Sequence, residues 1–433
     1  MSDRVAPKEI NYDQSLPLAI ESRSNRRRFA PNNGQTFTAA GSNIIRIDIN
    51  ADSMLDAAHS YLQFTLNNTY SGQTLGLDEG VPMIQRLRVE SAGVVLEDIQ
   101  AYNRLYPMLQ QCQAGPLVGL DGNVETGNCP TLISTTASRA ANVVTQIADG
   151  ASKVICVPLV SALFNCDKYI PLVMMNAGLT LELTLAPALE MCISDGAAPT
   201  YSLTNVNYVA QLIDLDRSFY DNLRMVMAAQ GGVIQLAGQT FRHYQQQIAA
   251  NAAEQTATLN IPARVKSLKS CFVRMVENAH STAQSNYFCQ VGDKVKTAQW
   301  QFKVGATNYP QSAVQCGSAG AASAGAEAFV EMKKAFGKLG DYSHSTSCTQ
   351  ANFGLSNTDL TTGGSQQTFT IGYDFEAFQK SALESGVNTA DRSLPMSLEI
   401  TLDNDNTATR VDAWVLADAI FYVSVDGSVS VSV

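Results

Sequence analysis

The stretch LTLELTL (residues 179–185) recurs, position by position in kind, as MSLEITL (residues 396–402). Each alternates apolar and polar residues, and each carries a glutamate at its centre, Glu182 and Glu399. Period-two alternation belongs to a strand with one face in a core and one face out. The offset, 396 − 179 = 217, is half of the 433-residue chain. A half-chain repeat predicts two copies of one β-domain.

A second pair of segments points the same way. RLRVESAG (86–93) places Leu87 and Val89 where WQFKVGATNYPQ (300–311) has Phe302 and Val304, an offset of 302 − 87 = 215. Further alternating runs are Ile45, Ile47, Ile49 and Leu62, Phe64, Leu66. Near the end, Phe421, Val423 and Val425 lead through Asp426-Gly427 to Val429, Val431 and Val433, which reads as strand, tight turn, strand. The fold class is all-β, with sandwich packing.

Each copy then turns towards a helix. In the first, Glu97 and Asp98 suit a helix start by charge, and Ile99, Tyr102, Leu105 and Leu109 share a face that Pro107 kinks or ends. In the second, Phe329, Val330, Met332, Phe336 and Leu339 make the face and Gly340 closes it. On this reading Tyr309-Pro310 lies in the loop between strand and helix. Phe219, Leu223, Val226 and Met227 predict a connecting helix before Gly231-Gly232. Long polar stretches at 113–150, 276–297, 305–325, 340–365 and 380–393 read as loops that carry interaction surface.

Composition narrows the function. Apolar residues make up 45% and charged residues 16%, a globular balance with a sparsely charged surface. Net charge is −10, yet residues 1–30 hold six basic and four acidic residues, so the remainder stands at −12. An acidic body does not bind nucleic acid over its whole surface. No apolar signal segment precedes residue 21, and no run reaches membrane-span length, so synthesis and folding are expected in cytosol or nucleus. The nine cysteines, odd in number and without a CxxC pair, are expected to be reduced thiols.

Several segments resemble those of the double jelly-roll major capsid proteins, the lineage of adenovirus hexon and the tectivirus-type phages. In look the chain is closest to the capsid proteins of polinton-like viruses and virophages. WQFKVGATNYPQ followed by AEAFVEMKKAFG is similar to the strand, loop and helix of a second roll. YIPLVMMNAGLTLELTLAPA and RSLPMSLEITLDND resemble the late strands of the two rolls, and WVLADAIFYVSV a closing strand. The resemblance spans about residues 35–433 and implies two tandem jelly-roll sandwiches with short helices in the loops. The expected division is an N-terminal arm at 1–34, a first roll at 35–215, a connector helix at 216–235 and a second roll at 236–433.

That resemblance also implies structural work without catalysis. Three chains would form a pseudo-hexagonal capsomer that tiles an icosahedral shell around double-stranded DNA, assembled in host cytoplasm or nucleus. Partners would be neighbouring copies and penton and minor capsid proteins, with no cofactor and no small-molecule substrate. RSNRRRF supplies the candidate site: Arg23, Arg26, Arg27, Arg28 and Phe29, read as an inner-face assembly arm that reaches an internal membrane or the genome. The alternative to that arm is a solvated basic turn.

Catalytic constellations are thin. His344 and Cys348 are four apart without a second pair at ligand spacing, which leaves no zinc site. His59, His243 and His280 read as surface or hydrogen-bonded histidines. Cys316 precedes a small-residue stretch that lacks the lysine of a phosphate loop, and no GxSxG occurs. Glu182 and Glu399 are expected to point outward on symmetric strands. The rival readings are an exported two-jelly-roll glycan-processing enzyme, which a glycan-release assay would reveal, and a minor or spike binding protein, which copy number in particles would separate.

Overall fold

The computed structural model describes residues 21–77, 80–113, 146–166, 168–194, 199–229, 231–278, 288–317, 325–340, 346, 348, 353, 368–377, 386–392, 394–403 and 407–433. Strands are numbered in chain order. In the first half, one sheet runs β1(Ser22–Phe29)-β13(Tyr201–Leu215)-β4(Met54–Asn68)-β10(Ile170–Pro171). To it β2(Thr36–Thr38) adds on β13, and β9(Ser152–Val157) on β4. Facing it is β3(Ile44–Ile49)-β11(Leu179–Leu185)-β6(Ile84–Ser91)-β7(Val94–Gln100). A small sheet, β12(Cys192–Ser194)-β5(Leu75–Leu77)-β8(Gln146–Ile147), caps one end.

The second half repeats the two main sheets. One sheet is β14(Val233–Ile248)-β21(Thr409–Ser424)-β16(Leu268–Glu277)-β19(Ile371–Asp374), with β22(Val429–Ser432) added on β21. The other is β15(Gln255–Ile261)-β20(Met396–Leu402)-β17(Thr297–Val304)-β18(Thr307–Gln315). So β14 corresponds to β1 plus β2, β21 to β13, and β17-β18 to the β6-β7 hairpin. The chain is two jelly rolls in tandem.

The register corrects one detail of the duplication. Leu183 opposes Leu87, and its counterpart Ile400 opposes Trp300. Leu87 therefore matches Trp300, an offset of 300 − 87 = 213, one pleat away from the sequence reading. A period-two pattern looks the same after a shift of two residues, so alternation alone does not detect the slip.

Other expectations change as well. Glu97 and Asp98 lie on β7, paired with Val89 and Arg88, and open no helix. The helix α1 begins at Tyr102, runs to Gln113 and continues through Pro107. In the second roll Gly305 turns the chain at φ +60°, and Tyr309-Pro310, a cis peptide, sits inside the return strand β18. The connecting helix α2 is Arg217–Ala229, and β14 follows from Val233. Its Val226 is 49% exposed rather than buried, while Tyr220 and Met227 turn inward. The helix α3 is Ala326–Ala335, where Ala328, Met332 and Ala335 make the buried face and Val330 points out. The stretch 276–297 is not all loop, because β16 runs to Glu277 and β17 starts at Thr297, and within it Phe288, Cys289 and Val291 are buried. The C-terminal hairpin forms as read, with Val423 paired to Val429.

The core follows the alternation. Ile45, Ile47, Ile49, Leu62, Phe64, Leu66, Leu181 and Leu183 are at most 1% exposed in the first roll, and Trp300, Phe302, Leu398 and Ile400 match them in the second. Two strands depart from alternation: β16 is buried along almost its whole length and β21 on both faces around 411–415. One face of each meets its own roll. The other is covered in part by Ala335 and Phe336 of the second roll itself and, at Arg274 and Asp412, by the first roll, where the charged groups described next reside.

Candidate functional site

The RSNRRRF segment is a strand. Ser22–Phe29 pairs antiparallel with Leu215–Tyr208, so these residues belong to the first roll and not to a free arm. Residues 1–20 lie outside the described range. Phe29 is buried and anchors the strand, while Arg23, Arg26, Arg27 and Arg28 are exposed. Arg27 stacks over the Phe29 ring at 4.9 Å and Arg26 over Tyr61 at 5.5 Å, also donating to the Tyr61 hydroxyl. Asn25 bonds Asp214 across the pair. Among the described residues β1 is the last strand of its sheet, with no strand paired on its outer edge. Charged side chains on such an edge oppose uncontrolled strand addition and leave a cationic rim.

A second group of polar residues, invisible as a motif, joins the rolls. The strand β7 packs on β14 and β22. Glu97, fully buried on β7, accepts from Ser161 Oγ, from Ala162 N at 3.0 Å and from Thr240 Oγ1 of the second roll at 2.7 Å. Burial pushes its carboxyl up, against the pull of these hydrogen bonds. At Gly238 on β14 the backbones come so close that a Cβ would stand 2.3 Å from Ala162 O, a place only glycine fills.

Beside this contact lies a buried ion cluster. Arg104 on α1 sends Nε to within 2.9 Å of Asp412 Oδ2 on β21, and both side chains are fully buried. His243 Nε2 stands 2.8 Å from Asp412 Oδ1, and Arg410 Nε donates to Oδ2 at 3.0 Å. Arg104 Nη1 also donates to Phe288 O at 2.9 Å, and the Phe288 ring is flanked by the Arg104 and Arg410 guanidinium groups at 4.7 and 5.3 Å. Burial alone would raise the Asp412 carboxyl; Arg104, His243 and Arg410 outweigh it and hold it at about 2. A short way along α1, Arg274 of β16 donates to Gln111 Oε1 at 2.7 Å. A His–Asp pair can orient a general base. Here two guanidinium groups claim the carboxylate and the His243 side chain is only 5% exposed, so the arrangement works as a clamp between rolls.

The remaining candidates behave structurally. Glu182 points away from the core, between core-facing Leu181 and Leu183, and is buried on that outer face under Arg46 at 2.7 Å and Arg88 at 3.7 Å of the flanking strands, which neutralise it. Its counterpart Glu399 pairs with Lys303 at 2.8 Å. His59 Nδ1 meets Asp56 at 2.8 Å. Cys316 is buried, its carbonyl taking Lys294 Nζ at 2.8 Å. His280 and His344 lie outside the described residues. Among the described residues no cluster of three or more His, Cys, Asp or Glu is placed to hold a metal ion. A cavity of about 820 Å³ opens between the rolls, its wall mixing Phe241, Phe272 and Leu416 with the Lys269–Asp418 pair at 3.4 Å.

No protein-family model and no curated protein matches the sequence. Solved structures do match over nearly the whole chain. PBCV-1 VP54, fitted into a reconstruction of the virophage Sputnik, is 11% identical with a TM-score of 0.63, covering 98% of this chain and 99% of that one. The Faustovirus major capsid protein is 10% identical at 0.63, covering 96% and 92%. The mavirus major capsid protein is 9% identical at 0.55, covering 99% and 95%. At such identities the likeness speaks for the fold: this chain has the double jelly-roll architecture found in those capsid proteins.

Proposed function

We propose that the chain is a major capsid protein that trimerises into pseudo-hexagonal capsomers, which tile an icosahedral shell around a double-stranded DNA genome in the virion. The observation that carries this reading is an asymmetry between duplicated helices. Helix α1 of the first roll is buried from Tyr102 to Met108, covered by the second roll. Its counterpart α3 has no third roll within the chain to cover it, and Val330 is 39% exposed and the following Leu339 49%. A contact that joins two unlike surfaces repeats from copy to copy and closes a ring where its rotation allows. If the next copy's first roll covers α3 and β18 as the second roll covers α1 and β7, three chains supply six rolls. The capsid role of the structural neighbours supports the same reading.

Light scattering on the purified protein tests it. The chain is 46.5 kDa, so the expected species is 3 × 46.5 = 139.5 kDa or a larger shell. A monodisperse monomer at all concentrations would overturn the proposal.

On this reading Arg23, Arg26, Arg27 and Arg28 belong to assembly. The strand that carries them corresponds to β14, which lines the seam inside the chain, and guanidinium groups suit both carboxylates of a neighbour and phosphates of a genome or membrane. Replacing the four arginines by serine is expected to leave the monomer folded and to impair assembly. Loss of the trimer would place them between copies; intact trimers without shells would place them on the inner face, against minor proteins, membrane or DNA. Normal shells in normal yield would remove the arginines from the assembly machinery.

A further inference from the structure

The clamp between the rolls ends in two sulfur atoms that the capsid reading does not use. Cys112 closes helix α1 of the first roll and is 1% exposed. Its Sγ lies 3.6 Å from Thr370 Oγ1 and 3.8 Å from Arg274 Nη2, both in the second roll. Cys348 comes from the second roll and is half-buried; its Sγ lies 3.7 Å from the main-chain oxygen of Gln111, the residue before Cys112. Each thiol also feels the other electrostatically. They are therefore neighbours in space, although 348 − 112 = 236 positions apart in sequence.

We propose that Cys112 and Cys348 are an oxidisable thiol pair, which hydrogen peroxide closes into a disulfide that ties the first roll to the second. The roles follow from the surroundings. Burial disfavours a Cys112 thiolate, but the Cys348 thiol, Arg274 and Thr370 outweigh it and bring the thiol below its ordinary value. Cys348 is pushed up, first by Cys112 and then by burial, so it keeps its proton. The thiolate is the nucleophile. By contrast, burial pushes Cys271 up, and Cys316 up to about 12, which leaves both inert.

The chemistry balances in two steps. Cys112 thiolate attacks one peroxide oxygen; the O–O bond breaks, sulfur loses two electrons, and with one proton taken up a sulfenic acid and one water result. Cys348 then gives up its proton and attacks the Cys112 sulfur. The S–S bond forms, the S–O bond breaks, and the hydroxide leaves as a second water. Peroxide is small enough for so buried a site, whereas a peptide disulfide such as oxidised glutathione is not. The proposal does not rest on the capsid reading, since it concerns two rolls of one chain.

The test is to treat the full-length protein with hydrogen peroxide, block remaining thiols, and digest it without reductant. Mass spectrometry is expected to find the peptides of Cys112 and Cys348 joined and lighter by two hydrogens, a link that dithiothreitol reverses. The urea midpoint of the oxidised wild type should rise and fall back on reduction. Cys348→Ser should show no link and no rise, with Cys112 driven on to the sulfinic acid. Sulfinic Cys112 in the wild type without a link, a link from Cys112 to another cysteine, or no change at either residue would each overturn the proposal. Cys112→Ser should also abolish the link; if that variant does not fold, the wild type and Cys348→Ser still decide.

Discussion

Asp412→Ala is expected to lower stability by about 3–5 kcal/mol, the usual loss when one partner of a buried ion pair is removed. The reason lies in what remains. Arg104, with a fully buried side chain, would keep its charge and lose its carboxylate, and Arg410 and His243 would lose the same partner. A double-mutant cycle separates the pair from its surroundings. Arg104→Ala alone should cost a similar amount by stranding Asp412, and the double variant should cost clearly less than the sum. Urea unfolding of the three variants beside the wild type measures this. Additive losses, or an Asp412→Ala loss below about 1 kcal/mol, would show that the cluster does not clamp the rolls.

Acid titration gives the same prediction a sign. Asp412 has a folded value of about 2, below its ordinary 3.8. A depressed carboxylate contributes stability that is fully present above the unfolded value and is lost as pH falls through the folded one. The gap between wild type and Asp412→Asn should therefore hold at neutral pH and shrink between about pH 4 and about pH 2. Glu97 and Glu190 act in the opposite sense. Burial, first among the causes for each, raises both above the ordinary value, so their contribution is present at low pH and lost as pH rises through the folded value. They do not explain a loss of stability in acid; Asp412 does.

How much of this was legible in the sequence depends on which face a residue meets. Leu181, Leu183, Leu398 and Ile400 face one core and alternate with polar residues, so strands, duplication and fold class could be read from them directly. The strand β1 could not, because an edge strand guarded by four arginines with one buried phenylalanine has no apolar alternation to read. The clamp was hidden for a different reason. Arg104, Asp412, Arg274 and Glu97 look like surface residues until two rolls meet over them. A signal did exist. SCFVRMV in β16 and VDAWVLA in β21 run apolar without alternation, as strands do when both faces are covered. A charge inside such a run, Arg274 or Asp412, marks a buried partner on a neighbouring unit. Glu97 carried no such mark, and its acidity was read as a helix start when the helix begins at Tyr102.

Trp300→Ala should then be the most damaging change in the second roll's core, at about 3–5 kcal/mol. Trp300 is 1% exposed and opposes Ile400 at the centre of the sheet. Its ring meets Phe302 edge-on at 5.6 Å and Tyr373 at 6.4 Å, in a cluster that continues to Phe375 and Tyr309. Truncation leaves a cavity between rigid strands, which sheet hydrogen bonding keeps from collapsing. The chain has two tryptophans, and the other, Trp414, lies on β21 beside His243 in the clamp, with ring centroids 5.3 Å apart. In Trp300→Ala the remaining fluorescence therefore reports the seam between the rolls. If the clamp couples them, the Trp414 signal and circular dichroism should shift to lower urea together and superimpose. The counterpart variant in the first roll, Leu87→Ala, should move the Trp414 transition too, although the substituted residue belongs to the other sandwich. A Trp414 transition indifferent to Leu87→Ala would mean that the rolls unfold separately and that the buried charges orient them without binding them into one cooperative unit.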